Sequence, residues 1–336
     1  MKSAMGRTFI MAVIVLAAQV TSSFGESTTN LAPTISRKIL VTAKQTKAMH
    51  GMIAKGNVTI SGTARTDSFD SSDPGKSEFG RYQAGKAGQD GFVGTTSQIP
   101  GDLRITGTAD IIGAVGTGAP GVYTVSGSAA AGSKDWIDTG VRGVETGYLQ
   151  TDLNASFPDV VPPFTPTSFT PTPKPGIVDG TNYDYVLNGG EFSMSDFSLV
   201  LSQKAIVKGH VVFYVTGNFS MSGDAQFIVA EGATLDLYVG KTTTITGGGM
   251  VNLSGKAENL NYYGLPGNTL VKLTGSANLI AIIYAPSALL DFDGTSSFSG
   301  ASVSQSMKLG GSFDFHYDES LNHRGMRYVP TRWKEL

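Results

Sequence analysis

Carboxylates are the side chains in this sequence most capable of chemistry. Asp67, Asp70 and Asp73 recur at three-residue spacing in DSFDSSD. Oxygen donors on a turning chain are what a hard cation such as Ca²⁺ takes. The spacing fits no EF-hand, and short Asp/Ser runs commonly bond their own backbone in Asx and Ser turns. The turn reading is therefore preferred, calcium is kept as the competing one, and neither a metal nor a cofactor is expected. Asp291 and Asp293 in DFD share one face of a strand, and Asp224, Asp236 and Glu258 lie elsewhere. A glycosidase or lyase needs two such groups converging at about 5–9 Å. Solvated strand residues explain these five, so no catalytic residue is assigned. Four histidines, at 50, 210, 316 and 323, form no H-E-x-x-H pattern. GTGAPG (Gly116 to Gly121) matches G-x-G-x-x-G, but the strand-like VYTVSG follows where a dinucleotide site needs a helix, so the stretch reads as a turn.

The elements that would carry these groups are announced by repetition. GNVTISGTAR, GDLRITGTAD and GNFSMSGDAQ begin at Gly56, Gly101 and Gly217. Each holds an apolar–polar–apolar triplet, then Ser or Thr, then Gly. Alternation puts the two apolar side chains on one face of a strand and the residue between them in water. The Gly supplies a backbone angle that a Cβ disfavours, so the chain can turn a corner. Gly62, Gly107, Gly127, Gly223, Gly248, Gly255, Gly275, Gly294 and Gly311 are the expected corner glycines. Apart from one interval of seven, the spacings after Gly223 run from 17 to 25 residues, the size of one turn of a β-solenoid. The stretches HVVFYVTG, ATLDLYVG and NLIAIIYAP add buried strands that end in Gly or Pro. Asn188 to Phe315, at roughly 20 residues per turn, predicts about six turns, a rod on the order of 30 Å.

Composition sets the compartment. The 336 residues include 43 Gly, 14 Pro and no Cys. Lys2 and Arg7, the apolar run Phe9 to Val20 and the small residues SSFG predict a secretory signal over 1–25. No later stretch is long and apolar enough to cross a membrane. Losing the leader takes the formal charge from −2 to −4, a field with no grip on nucleic acid. An exported chain without disulfides must be held by burial and backbone pairing.

The expected organisation is a signal at 1–25, a lead-in and capping segment at 26–52 and an N-terminal β lobe at 53–154. A Pro/Thr-rich connection at 155–182, the main solenoid at 183–315 and a C-terminal cap at 316–336 follow. The connection holds seven of the 14 prolines and cannot enter a central strand. It reads either as a hinge between two domains or as a strap along the outside of one body.

FHYDESL (Phe315 to Leu321) and the ending RYVPTRWKEL resemble the close of a β-helical domain of unknown function found in bacterial surface and pilus-assembly proteins, including PilX-type, minor-pilin-like ones. The repeated VTISG-like units resemble it as well. That resemblance implies an all-β, right-handed, single-stranded parallel β-helix (solenoid). The ordinary signal differs from a prepilin start. A last turn exposes strand edges that must be covered, so His316, Tyr317, Asp318, Glu319, Leu321 and Trp333 are expected to form the cap. The expected function is a noncatalytic structural or adhesive component, secreted, periplasmic or on the cell surface. Its partners would be surface glycans or other envelope proteins, and its oligomeric state is unknown. A carbohydrate-active enzyme and a carbohydrate-binding module are the alternatives. An enzyme should show a groove with convergent carboxylates, and a glycan binder a row of exposed aromatics, with Tyr262 and Tyr263 as candidates.

Overall fold

Strands form wherever apolar residues alternate, and burial follows the alternation. Thr234–Val239 buries every second side chain, and Val58–Ile60, Leu103–Ile105 and Phe219–Met221 each bury the outer two of three. The computed structural model describes residues 39–46, 50–276, 278–323 and 327–335. The expected signal lies outside them. Two units are present. One pairs strands Ile39–Thr46 and Arg327–Glu335 antiparallel, with Trp333 opposite Val41. The other, Met49–His323, is all-β apart from short helical turns, and is dominated by a large parallel sheet.

Within that sheet the pairings fall into three parallel ladders. One of them runs from Thr181–Met194 through Lys204–Val215, Thr234–Val239, Leu260–Gly264 and Asn278–Phe292 to Ser297–Leu309. It then continues into Met52–Ala54, Val93–Thr95, Val115–Gly116 and Leu149–Gln150. The amino-terminal repeats thus stack on the carboxy-terminal ones, in an order that breaks sequence. The segment between, 151–173, carries the chain back along the outside of this same unit. Leu153 packs at Gly94 and Gly116, the Tyr284 hydroxyl donates to Pro158 O at 2.8 Å, Phe164 meets Tyr214 edge-on, and Ser193 N donates to Pro171 O.

This order corrects the expected cap. Asp314–Asp318 is hydrogen-bonded to Ser297–Leu309 on one side and to Arg65–Phe69 on the other, so His316, Tyr317 and Asp318 sit in an interior rung. Glu319 and Leu321 follow in a short 3₁₀ turn, and Trp333 belongs to the other unit. The end of the chain is not the end of the sheet, because the amino-terminal repeats cover it. One end of the sheet is instead an antiparallel hairpin, Lys174–Val178 on Thr181–Met194, where Pro175 lacks an N–H. At the other, the strands shrink to two residues, Gly143–Val144 and Leu149–Gln150.

The core is a stack of aliphatic and phenylalanine side chains. Phe197 and Phe219 stack at 5.0 Å, Phe298 and Phe315 at 5.5 Å, all fully buried. Each such burial contributes roughly 1.5–3 kcal/mol. Tyr262, one of the two expected stacking rings, points inward and is 4% exposed. Its oxygen bonds Thr243 and Asn268, and burial pushes the phenol well above the usual tyrosine value.

Corner residues form a second stack. Leu201 (φ +59°), Gly223, Gly247, Gly275, Gly294, Gly311, Gly62, Gly107 and Gly127 all have positive φ, and neighbours in this order lie one above the next. The residue after a corner donates its N–H to the corner carbonyl of the rung below: Thr63 to Gly311, Thr108 to Gly62, Ser128 to Gly107, each within 2.8 Å. Gly248 is not the corner: in TGGGM the positive angles belong to Gly247 and Gly249. Gly255 has the expected angle but faces Gly80 and Arg81, outside the column.

A Cβ on Gly62 would lie 2.3 Å from Gly311 O, whereas Gly101, at φ +83°, has open space. Gly101→Ala is therefore expected to lose only the backbone strain, on the order of 1–2 kcal/mol. Gly62→Ala should lose that and more, as read by urea denaturation. Equal losses would show that close approach at the corner contributes nothing.

Candidate functional site

The three aspartates of DSFDSSD part company in the structure. Asp70 accepts from Ser72 N and Oγ, and Asp73 from Gly75 N, so both hold their own turns. Asp67 lies in strand Arg65–Phe69 and is fully buried. The register places Ser299, His316 and Asp67 side by side on successive rungs. His316 Nδ1 and Asp67 Oδ1 are 2.6 Å apart. The other carboxylate oxygen accepts from the Tyr82 hydroxyl at 2.8 Å and lies 3.5 Å from Arg65 Nε. Tyr82 stacks flat on the imidazole, with centroids 3.4 Å apart, and meets Phe69 edge-on. Burial raises the Tyr82 hydroxyl, and the charge and hydrogen bond of Asp67 add to the rise. Among the described residues no group of three or more His, Cys, Asp or Glu is arranged to hold a metal.

Tyr82 comes from the polar excursion between Phe69 and Gly91, which folds back over the sheet. It is tied down by Asp318 and Glu319. Lys76 pairs with Glu319 at 2.7 Å, Ser68 Oγ donates to Glu319, and Ser71 N donates to Asp318 Oδ1. The residues expected to close the end of the sheet thus anchor this loop. Asp318 Oδ2 is buried with no hydrogen-bond partner.

Beside the cluster lies a concavity of about 430 Å³, lined by Arg81, Tyr82, Asn252, Asn278, Ser299 and His316 among others. It opens where the ladders are interrupted: among the described residues no ladder pairing joins Met250–Asn252 to Asn278–Phe292, although the two strands are neighbours. Asn252 Nδ2 bridges the gap by donating to Ile280 O at 3.2 Å. No described hydrogen bond uses His316 Nε2, Ser299 Oγ or Asn278 Nδ2. The site therefore offers hydroxyl, amide and imidazole groups beside an aromatic ring.

The other carboxylates do not converge. Asp291 lies on the outer face between Lys272 and Lys308, 3.4 Å from the Lys308 amine, while Asp293 accepts from Gly294 N at a corner. Asp236 accepts from Asn261 at 2.8 Å. GTGAPG ends in a turn leading directly into strand Tyr123–Val125, where a dinucleotide site needs a helix.

A row of aromatics does exist. Tyr214, Tyr238, Tyr263 and Tyr284 occupy one outward position on four successive rungs, and Tyr238 stacks on Tyr263 at 4.6 Å. The 151–173 strap lies on this row through Phe164 and Pro158. Sequence reading missed the row beyond Tyr263, because its period is set by spacing between rungs and not within a strand. It also missed the His316–Asp67 pair, whose members are 249 positions apart. The one available signal was that both halves carry the same triplet, which allows them to stack on each other.

Residues 184–324 match the model of a family described as a domain of unknown function (DUF7305). No curated protein and no solved structure matches the chain.

Burial raises the Asp314 carboxyl; His316 opposes the rise, Asp67 adds to it and Arg65 opposes it. The folded protein thus keeps this proton to a higher pH than the unfolded chain. The group weakens the fold as pH climbs from the ordinary aspartate value through the raised one. Asp314→Asn removes that loss. The urea midpoint of the variant relative to the parent is expected to rise as pH climbs from below the ordinary aspartate value through the raised one. A constant difference would contradict it.

Proposed function

We propose that the protein is a noncatalytic, exported structural or adhesive component of a bacterial cell surface, built as a right-handed single-stranded parallel β-helix. The observation that carries this reading is the unbroken corner column, which passes from Leu201 to Gly127 through both halves of the chain. A chain that returns to one inward triplet and one corner at each rung is winding around a shared interior, and right-handed crossovers are the general rule for parallel strands. A stiff stack of this kind suits a spacer or platform. The basic residues and apolar run of 1–25 support export, and the terminal FHYDESL segment supports kinship with surface and pilus-assembly proteins. Expression of the full chain in a bacterium is expected to yield an envelope or extracellular product, with amino-terminal sequencing starting near Gly25. A full-length cytoplasmic product would overturn the export reading.

The cleft favours a second reading, carbohydrate binding. Hydroxyl and amide groups beside a ring match the alternation of polar edges and apolar faces on a sugar. The tyrosine row is overlaid by the strap, so the cleft is the better site. On a glycan array, Asn278→Ala is expected to remove binding at unchanged thermal stability, and Tyr82→Ala to remove it with a loss of stability, because its hydroxyl bonds the buried Asp67. Binding that survives both changes would place the glycan elsewhere.

A further inference from the structure

Most neighbouring rungs belong to segments close in sequence and joined by short turns. One junction differs. Ser297–Leu309 and Asp314–Asp318 pair with Met52–Ala54, Val58–Ile60 and Arg65–Phe69, across about 250 positions. The junction carries the same ladder bonds as any other step: Gly56 N to Gln305 O at 2.8 Å, Ser61 N to Leu309 O at 2.9 Å, Met307 N to Asn57 O at 2.9 Å. It adds the Asp67–His316, Ser71–Asp318 and Lys76–Glu319 contacts. None of these groups records which copy of the chain supplies its partner.

Within this unit the backbone link between the two halves is the 151–173 strap. It is mostly exposed, with Val160 and Pro173 buried. Its polar ties to the sheet include Tyr284 to Pro158 and Ser193 to Pro171. The strap spans nine ladder steps, from Leu149–Gln150 to Thr181–Met194. At about 4.8 Å per step that is roughly 43 Å. The 24 peptide units from Gln150 to Lys174 reach about 74 Å as polyproline helix, so closure within one chain is easily spanned.

We infer that the junction between Ser297–Asp318 and Met52–Phe69 is a self-association surface, whose partner in trans is the same surface pair of a second copy. The carboxy-terminal half of one chain receives the amino-terminal half of another, giving swapped dimers or open-ended chains. Closure in cis prevails in dilute solution because the strap holds the halves at high effective concentration. Exchange of identical elements otherwise needs no new contact.

The chain has no cysteine, which gives a clean test. Thr59 and Lys308 are register partners on the outer face of the junction. Adjacent-strand positions of this kind fall within disulfide range. Thr59→Cys and Lys308→Cys are made in separate chains, which are unfolded together, refolded over a range of concentrations, oxidised and run on non-reducing gels. A covalent heterodimer whose yield rises with concentration is expected; its absence at every concentration overturns the inference. Deleting Pro158–Pro171 leaves ten peptide units, at most about 35 Å, too short for cis closure. In that background the double-cysteine chain is expected to cross-link only between chains, with parental circular dichroism. An intramolecular bond, or a folded monomer, overturns the inference. If the deletion prevents folding, the intact-strap mixture alone decides.

Discussion

The hydrogen bond from the residue after a corner to the corner carbonyl one rung below, made after Gly247, Gly294, Gly311, Gly62, Gly107 and Gly127, is the constraint on which the structure rests. It fixes the spacing and register of successive rungs at the point where the chain bends. At Gly62, Gly107, Gly127, Gly294 and Gly311 positive φ and a carbonyl oxygen 2.3–2.7 Å from where a Cβ would sit both select glycine. With register fixed there, the triplet before each corner must turn its apolar residues inward. The phenylalanine stack follows from that alignment, and so do the outward rows in which Tyr214, Tyr238, Tyr263 and Tyr284, or Lys272, Asp291 and Lys308, share one position.

Polar chemistry gathers where this regularity lapses. The insertion between Phe69 and Gly91 folds back over the sheet, and the ladder break beside Asn252 leaves a concavity next to it. The desolvated Asp67 is tolerable because imidazole, phenol and guanidinium groups surround it. The same lapse ties together the two halves of the chain, since His316, Asp318 and Glu319 all answer groups between Asp67 and Lys76. A cleft bordered by such a fastening is well braced.

Local pattern made much of this legible. The triplets Val58–Ile60, Leu103–Ile105 and Phe219–Met221 bury the residues their alternation predicts. Eight of the nine expected corner glycines have the expected angle, and seven of those stand in the column. Gly248 failed because three consecutive glycines leave the slot ambiguous. Tyr262 was misread because YY offers two parities and only the neighbouring rungs decide which ring goes inward. The order of rungs was not legible at all. Ladder bonds are chemically alike, so nothing local in Met52–Ile60 says that its neighbour is Ser297–Leu309 and not another segment. The cap was placed on the last residues for the same reason.

The strap and the scrambled rung order carry a cost in time. A ribosome delivers Met52–Phe69 about 250 residues before Ser297–Asp318, so the early segment waits with a bare edge until its partner strands have emerged. Contacts this distant along the chain close slowly. That delay keeps the parallel sheet from completing until the last of its strands has been delivered.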